Sequence, residues 1–208
     1  MKLIKNIDPS KIQDSGAVIL LTGDGQTEIR VINSICGKIN GQRGSKYLFW
    51  LQPHALHRPH RITGLSSLRQ VRILMEKYPV NRFLWICDVE HFKNKPQWLA
   101  EITQSLQQFG VTIPKAQSWR RSALLEVKLG DKEARLWIAV NGEERNIEED
   151  IAKLIRILRK RHLNPDEVKH YLRNEEPVDN LIADATDEEL QQSFPSLFNV
   201  LKVVHSDC

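Results

Sequence analysis

The stretch Ala17-Val18-Ile19-Leu20-Leu21-Thr22-Gly23-Asp24-Gly25 decides the fold class of this 208-residue chain. Its five leading residues are apolar without interruption, and a turn cluster closes them. Continuous rather than alternating hydrophobicity predicts a strand covered on both faces, as in parallel sheets. The residues that follow change period. Ile29, Ile32, Ile35, Cys36 and Ile39 fall on one helical stripe, and Asn40-Gly41 offers a stop. The unit is therefore a strand, a tight turn and an amphipathic helix.

The same alternation continues outward. Lys46 to Leu51 contains Tyr47-Leu48-Phe49-Trp50 and reads as a second strand. A polar loop with prolines follows, and Leu65 to Tyr78 reads as a helix with Leu68, Val71, Leu74 and Met75 inward. Arg82 to Cys87 is a third strand ending in Asp88-Val89-Glu90. Lys95 to Phe109 is a helix closed by Gly110. The pattern then changes to a hairpin, Ala123–Val127 and Ala134–Val140, around a glycine-bearing loop. A helix marked by Ile147, Ile151, Leu154, Ile155 and Leu158 follows. Its end carries Arg156, Arg159, Lys160 and Arg161, which suit the negative end of a helix dipole. Short helices are expected around residues 165–173 and 187–204, with Glu175–Asp184 as a loosely attached connector.

Strand–helix alternation over the first 110 residues predicts an α/β fold, three-layer, with a mostly parallel sheet flanked by helices. A β-hairpin and helical extension follow it. The expected division is residues 1–162 as the α/β domain and 163–208 as a short, acidic helical extension.

Composition excludes several classes. Thirty Lys and Arg against 26 Asp and Glu leave a formal charge of +4, with 41% hydrophobic residues, which excludes wholesale disorder. No apolar run approaches the roughly 20 residues of a membrane helix. The start of the chain lacks a secretory pattern. Cys36, Cys87 and Cys208 are too scattered for a disulfide framework, so a reduced cytoplasmic protein is expected. Cys36 and Cys87 lie on apolar stripes and read as small buried hydrophobes.

Charge is segregated. From Ile29 to Met75 there is no acidic residue, while Arg58, Arg61, Arg69 and Arg72 are among eight Lys and Arg residues there. Such a basic segment can neutralise phosphates, so these four arginines are candidate nucleic-acid contacts. From Asn174 to Leu201 there is no Lys or Arg and seven acidic residues. The alternative is that the two regions face each other or are solvated. His54, His57 and His60 recur in a basic, proline-containing segment that can meet phosphate or, less readily, a metal. Trp119-Arg120-Arg121 can stack on a base and hold a phosphate, or Trp119 can plug the core edge; the core reading is preferred.

In parallel sheets, ligands bind outside the carboxyl ends of the strands. That rule selects Thr22-Gly23-Asp24-Gly25 as a cofactor-binding turn and Asp88–Glu90 as a second acidic tip. Alternation along an extended segment sends Asp88 and Glu90 to one side. Oxygen ligands at that spacing suit Mg²⁺, with Asp24 as a further ligand and Glu28 one helical turn beyond it. His91 can join the same site.

These motifs resemble TOPRIM domains. Val18-Ile19-Leu20-Leu21-Thr22-Gly23 followed by Glu28 is similar to their first motif, an apolar strand, Glu-Gly and a helix. Asp88-x-Glu90 is similar to their later D-x-D motif. The likeness extends to a small group of microbial TOPRIM-like proteins, through Leu136-Trp137-Ile138, Asn141-Gly142 and the acidic helix start Glu148-Glu149-Asp150. It covers roughly residues 15 to 160. The resemblance implies Mg²⁺ held by Asp88 and Glu90, and chemistry on nucleic-acid phosphodiesters. The family's glutamate, its presumed general acid/base, falls on Thr22, whose hydroxyl does not titrate near neutrality. Asp24 or Glu28 would have to replace it, which makes Asp88, Glu90 and Glu28 the catalytic candidates. The resemblance with this departure implies binding of nucleic acid or a phosphate-bearing ligand without an intact catalytic set. A Mg²⁺-dependent nuclease and a protein-interaction module using the acidic stretch are the other two readings.

Overall fold

The structure, a computed structural model, describes residues 2–4, 17–22, 26–39, 47–50 and 64–207. Among these, seven strands form one sheet: β1 (Lys2–Ile4), β2 (Val18–Thr22), β3 (Tyr47–Trp50), β4 (Arg82–Asp88), β5 (Thr112–Trp119), β6 (Ser122–Leu129) and β7 (Lys132–Asn141). Their order is β1-β3-β2-β4-β7-β6-β5. The first five strands in that order run parallel, and β6 and β5 are antiparallel additions at one edge. The chain is thus an α/β protein with a mixed, mostly parallel sheet.

The apolar run Val18–Leu21 is a strand whose residues are all buried, which is why it lacks alternation. Its side chains are divided between two cores. Val18 and Leu20 join Leu84, Ile86, Trp137 and Ala139 in one cluster, with α1 (Gln26–Ile39) and α4 (Ile147–Arg159). Ile19 and Leu21 join Phe83, Trp85, Leu136 and Ile138 in the other, with α2 (Arg69–Lys77) and α3 (Trp98–Gln108). Trp85 and Trp137, both fully buried, anchor opposite clusters. Trp85 Nε1 donates to Ser67 Oγ at 2.7 Å, and Ser67 Oγ donates to Gly64 O at 2.7 Å. This pair satisfies the indole in the core and pins a 3₁₀ turn, Gly64–Leu68, that leads into α2.

The helix expected over 65–78 is therefore a 3₁₀ turn followed by α2. The helix expected from Lys95 likewise begins as a 3₁₀ turn, Lys95–Gln97, before α3. The hairpin forms as β6 and β7 around Gly130 (φ +59°). It has a third member not anticipated, β5, which reaches β6 through Arg120 at φ +53°. Strand β5 is an edge strand exposed over most of its length, with Pro114 and a register shift between Thr112 and Lys115. Proline and exposure on both faces remove the usual strand signature from its sequence.

The acidic stretch is not a loose connector. It contains α6 (Val178–Asp184), whose Val178, Leu181 and Ile182 are buried in the cluster shared by β2, α1 and α4. The flanking helices α5 (Pro165–Asn174), α7 (Asp187–Ser193) and α8 (Pro195–Asp207) contribute Val168, Leu190, Phe194 and Phe198 to that cluster. Its charges are answered within the chain: Arg159 by Glu176 and Asp184, Arg161 by Glu175, and Lys202 by Asp187 at 2.7 Å. Lys38 of α1 donates to the carbonyls of Ile182 (3.0 Å) and Ala183 (2.9 Å) at the end of α6. α5 and α7 each begin with a capping box, Asn164/Glu167 and Thr186/Glu189.

No helix among the described residues is long and apolar enough to cross a membrane.

Candidate functional site

The carboxyl ends of three adjacent parallel strands, β2, β4 and β7, lie side by side in the middle of the sheet. Thr22 pairs in register with Ile86, and Asp88, two residues further along β4, pairs with Asn141 of β7. Side chains two residues apart on a strand share a face. Leu20, Ile86 and Ala139 lie in the α1/α4 cluster, so Thr22, Asp88 and Asn141 point to that same side. Thr22 and Asp88 thus lie at the ends of neighbouring parallel strands, on one face of the sheet. Gly23, Asp24 and Gly25 lie outside the described residues, as do Arg58, Arg61 and the histidines 54, 57 and 60.

Asp88 and Glu90 come together for a different reason from simple alternation. Asp88 is the last extended residue, and Val89–His91 forms a 3₁₀ turn with Val89 buried. This turn brings ligand atoms of Asp88, Glu90 and His91 within 4.8 Å of one another. The turn is fixed from two sides. Glu90 N donates to Arg145 O at 2.9 Å. His91 lies against Gly64 (φ +54°), where an added Cβ would come within 3.0 Å of the imidazole Cγ and Nδ1.

The loop from β7 to α4 supplies the next layer. Gly142 sits at φ +75°, and a Cβ there would meet Asn146 O at 2.6 Å. Glu149 Oε2 accepts from the backbone N–H groups of Glu143 (2.6 Å), Glu144 (2.9 Å) and Arg145 (3.1 Å). Burial pushes the Glu149 carboxyl up, but those three donors and Lys153 outweigh it and hold its pKa below the usual value. Asp150 Oδ2 accepts from Gly142 N at 2.9 Å. Burial dominates there and pushes the Asp150 pKa up to about 7, against the pull of that hydrogen bond and Lys153.

Asp88 is tied to the same helix start, its Oδ1 accepting from Ile147 N at 3.1 Å. Burial, then the negative charges of Glu148 and Glu90, push the Asp88 pKa up to about 7. The Ile147 N–H opposes them, and Asp150 adds to them. Glu148 is itself buried and is met by Lys169 Nζ at 3.4 Å. Glu28, in the first turn of α1, is buried too. Burial, followed by the charges of Asp88 and Glu28, drives the Cys87 thiol well above its ordinary pKa. Cys87 is thus an inert core residue, as is Cys36, whose thiol burial raises to about 12.

Several carboxylates crowd one half-buried corner where a proton or a cation is the natural neutraliser. Asn141 adds an independent sign. It is 1% exposed, and neither its Oδ1 nor its Nδ2 has a hydrogen-bond partner. An amide left so costs about 1–3 kcal/mol. Two carboxylates and an imidazole, beside an amide, are groups that could hold a divalent cation.

Of the remaining candidates, Arg69 and Arg72 lie on α2, on the opposite side of the sheet. Arg72 is engaged by Glu76 at 2.8 Å and by Phe109 O at 3.1 Å. Trp119 packs partly buried against the α1/α4 cluster. Asn141, Glu148 and Asp150 act around Asp88, and the sequence points to them only through the TOPRIM resemblance. Applying the strand-end rule to β7, a third parallel strand, would have found Asn141.

Comparison with protein-family models, with curated proteins and with solved structures finds no match to this chain.

Proposed function

We propose that this chain is a TOPRIM-like domain that binds nucleic acid or another phosphate-bearing ligand through a divalent cation. The observation that carries this reading is the convergence of Asp88, Glu90 and His91 within 4.8 Å at a parallel strand's carboxyl end, beside the unpaired amide of Asn141. Helices on both faces of the sheet support the three-layer arrangement expected of such a domain. Asp88 and Glu90 would hold the ion, with His91 or Asn141 completing its shell; Mg²⁺ is the expected ion. When bound, the ion supplies positive charge against phosphate oxygens.

This chain's own residues do the rest. Ile147 N–H orients the Asp88 carboxylate, Arg145 O fixes the turn bearing Glu90, and Lys169 offsets the charge of Glu148. Thr22 occupies the position of the family's acid/base and cannot exchange a proton near neutrality. Binding without turnover follows as the primary reading.

A hydrolytic reading rests on Glu28, a buried carboxylate on the same side as Asp88. Filter binding of an oligonucleotide with Mn²⁺ at graded salt tests the first reading. A steep loss of affinity with salt is expected, and a flat response overturns it. A nuclease assay comparing the natural protein with Asp88→Ala tests the second; product formed equally by both counts as contamination and removes it.

A further inference from the structure

A second cleft opens beside the Asp88 corner, between α1, α5 and the start of α6. It encloses about 330 Å³ and is lined by Thr27, Arg30, Lys169, Leu172, Arg173 and Val178. That volume lies at the lower end of the range of ligand pockets, about 300–1,000 Å³. Its lining is chemically divided. Val178 is buried and Leu172 half-buried, giving an apolar floor, while Arg30, Lys169 and Arg173 are exposed at the rim.

Lys169 is met by Glu148, but Arg30 and Arg173 add two further positive charges to the same cleft, which an anion would offset. Elsewhere on this flank Arg159 is paired with Glu176 and Asp184, and Arg161 with Glu175, whereas the exposed Arg156 of α4 does not line this cleft. Among the described residues no carboxylate lies within ion-pair distance of Arg30 or Arg173. The first turn of α1, which supplies Thr27, adds the positive end of a 14-residue helix dipole.

The cleft is joined to the acidic corner through two residues. Lys169 of its wall reaches Glu148 Oε1 at 3.4 Å, and Glu148 is, after burial, the largest influence raising the Asp88 pKa. Thr27 in its wall precedes Glu28, whose charge acts on Cys87 beside Asp88. A cationic cleft and an anionic corner thus share a boundary, an arrangement suited to a ligand whose phosphates need both a cation and guanidinium groups.

We propose that the Arg30–Lys169–Arg173 cleft is the phosphate subsite of the Asp88 centre, holding a phosphate group of a nucleic-acid strand or of its terminus. This rests on the reading of that centre as a cation-assisted phosphate site, and it assigns the recognition of the phosphate itself to α1 and α5.

The test uses the full chain with Arg30→Gln and Arg173→Gln combined, and Arg156→Gln on the exposed side of α4 as a surface control. The probes are a 5′-phosphorylated single-stranded oligonucleotide, its unphosphorylated counterpart, inorganic phosphate and Mn²⁺ alone. The double variant should bind the oligonucleotide about tenfold more weakly at low salt, with a salt slope reduced by about 1.4, the share of two single-strand phosphate contacts. Its Mn²⁺ titration should match that of the natural protein. A larger loss on the phosphorylated probe, with displacement by inorganic phosphate, identifies a terminal phosphate; equal loss on both identifies backbone phosphates. Unchanged affinity for both oligonucleotides in the double variant overturns the proposal. A natural protein that binds no Mn²⁺ yet shows arginine-dependent oligonucleotide affinity removes the metal centre and leaves the subsite standing.

Discussion

Asp88 and Asn141 are register partners at the ends of β4 and β7, with side chains on the same face of the sheet. One is a carboxyl pushed up to about 7, the other a buried amide with both polar atoms unpaired. Each is costly in isolation, and a single cation bound as proposed above would relieve both, favouring the carboxylate and taking the amide oxygen as a ligand. Mn²⁺ should therefore raise the melting temperature of the natural protein at pH 8 and leave that of Asp88→Asn unmoved. Differential scanning calorimetry with and without the ion decides this, and equal shifts in both proteins would reject Asp88 as a ligand.

The two raised carboxyls also set a pH dependence. In the unfolded chain Asp88 and Asp150 titrate near the ordinary aspartate value of 3.8, whereas in the fold burial raises both to about 7. Between these values the folded state holds protons that the unfolded chain has released. Their stabilising contribution is full below about pH 4 and is lost as pH rises to about 7. Without divalent ions, melting temperature should fall from pH 5 to pH 8. Asp88→Asn, which keeps the acceptor for Ile147 N–H, should flatten part of that fall. Its gain at pH 8 should be about 1–2 kcal/mol, or roughly 2–8 °C for a chain of this size.

The loop after β7 gives a third test. Gly142→Ala combines a positive φ with a Cβ 2.6 Å from Asn146 O. It should cost about 1–3 kcal/mol in urea denaturation. Glu149→Gln, which weakens the acceptor for three N–H groups, should destabilise by about 1–3 kcal/mol. Either variant should also weaken Mn²⁺ binding, since Arg145 O fixes Glu90 and Ile147 N orients Asp88.

Truncation tests the role of the C-terminal helices. A chain ending at residue 162 loses Val168, Leu181, Phe194, Phe198 and Leu201 from the cluster they share with β2 and α1. It also loses Ser196, whose Oγ accepts from Val140 N at 3.0 Å and donates to Arg121 O at 2.7 Å. The truncated chain should unfold without a cooperative transition and bind a hydrophobic dye. A sharp transition near that of the full chain would show that the helices are dispensable.

How far the sequence discloses this architecture depends on the kind of signal each element carries. The buried run Val18–Leu21 and the stripe from Ile29 to Ile39 are strong because burial on both faces, or on one stripe, dictates residue type directly. Strand β5 is silent because an exposed edge imposes no pattern, and Pro114 argues against any strand. Helix α6 is hidden by charge: Glu175, Glu176 and Asp184 read as solvated, yet arginines from elsewhere in the chain neutralise them. At the site, Asp88 and Glu90 follow from the strand-end rule. Glu148 and Asp150 do not, since only the three-dimensional approach of α4 to β4 makes them neighbours of Asp88.

Strand β5 hangs on the sheet chiefly by its backbone, since most of its side chains face water. Its amide protons should therefore exchange with solvent far faster than those of β4, although both belong to one sheet. Two further strands, β6 and β7, stand between that fraying border and Asp88. Transient opening there can expose main-chain donors to another extended segment while leaving the acidic corner undisturbed.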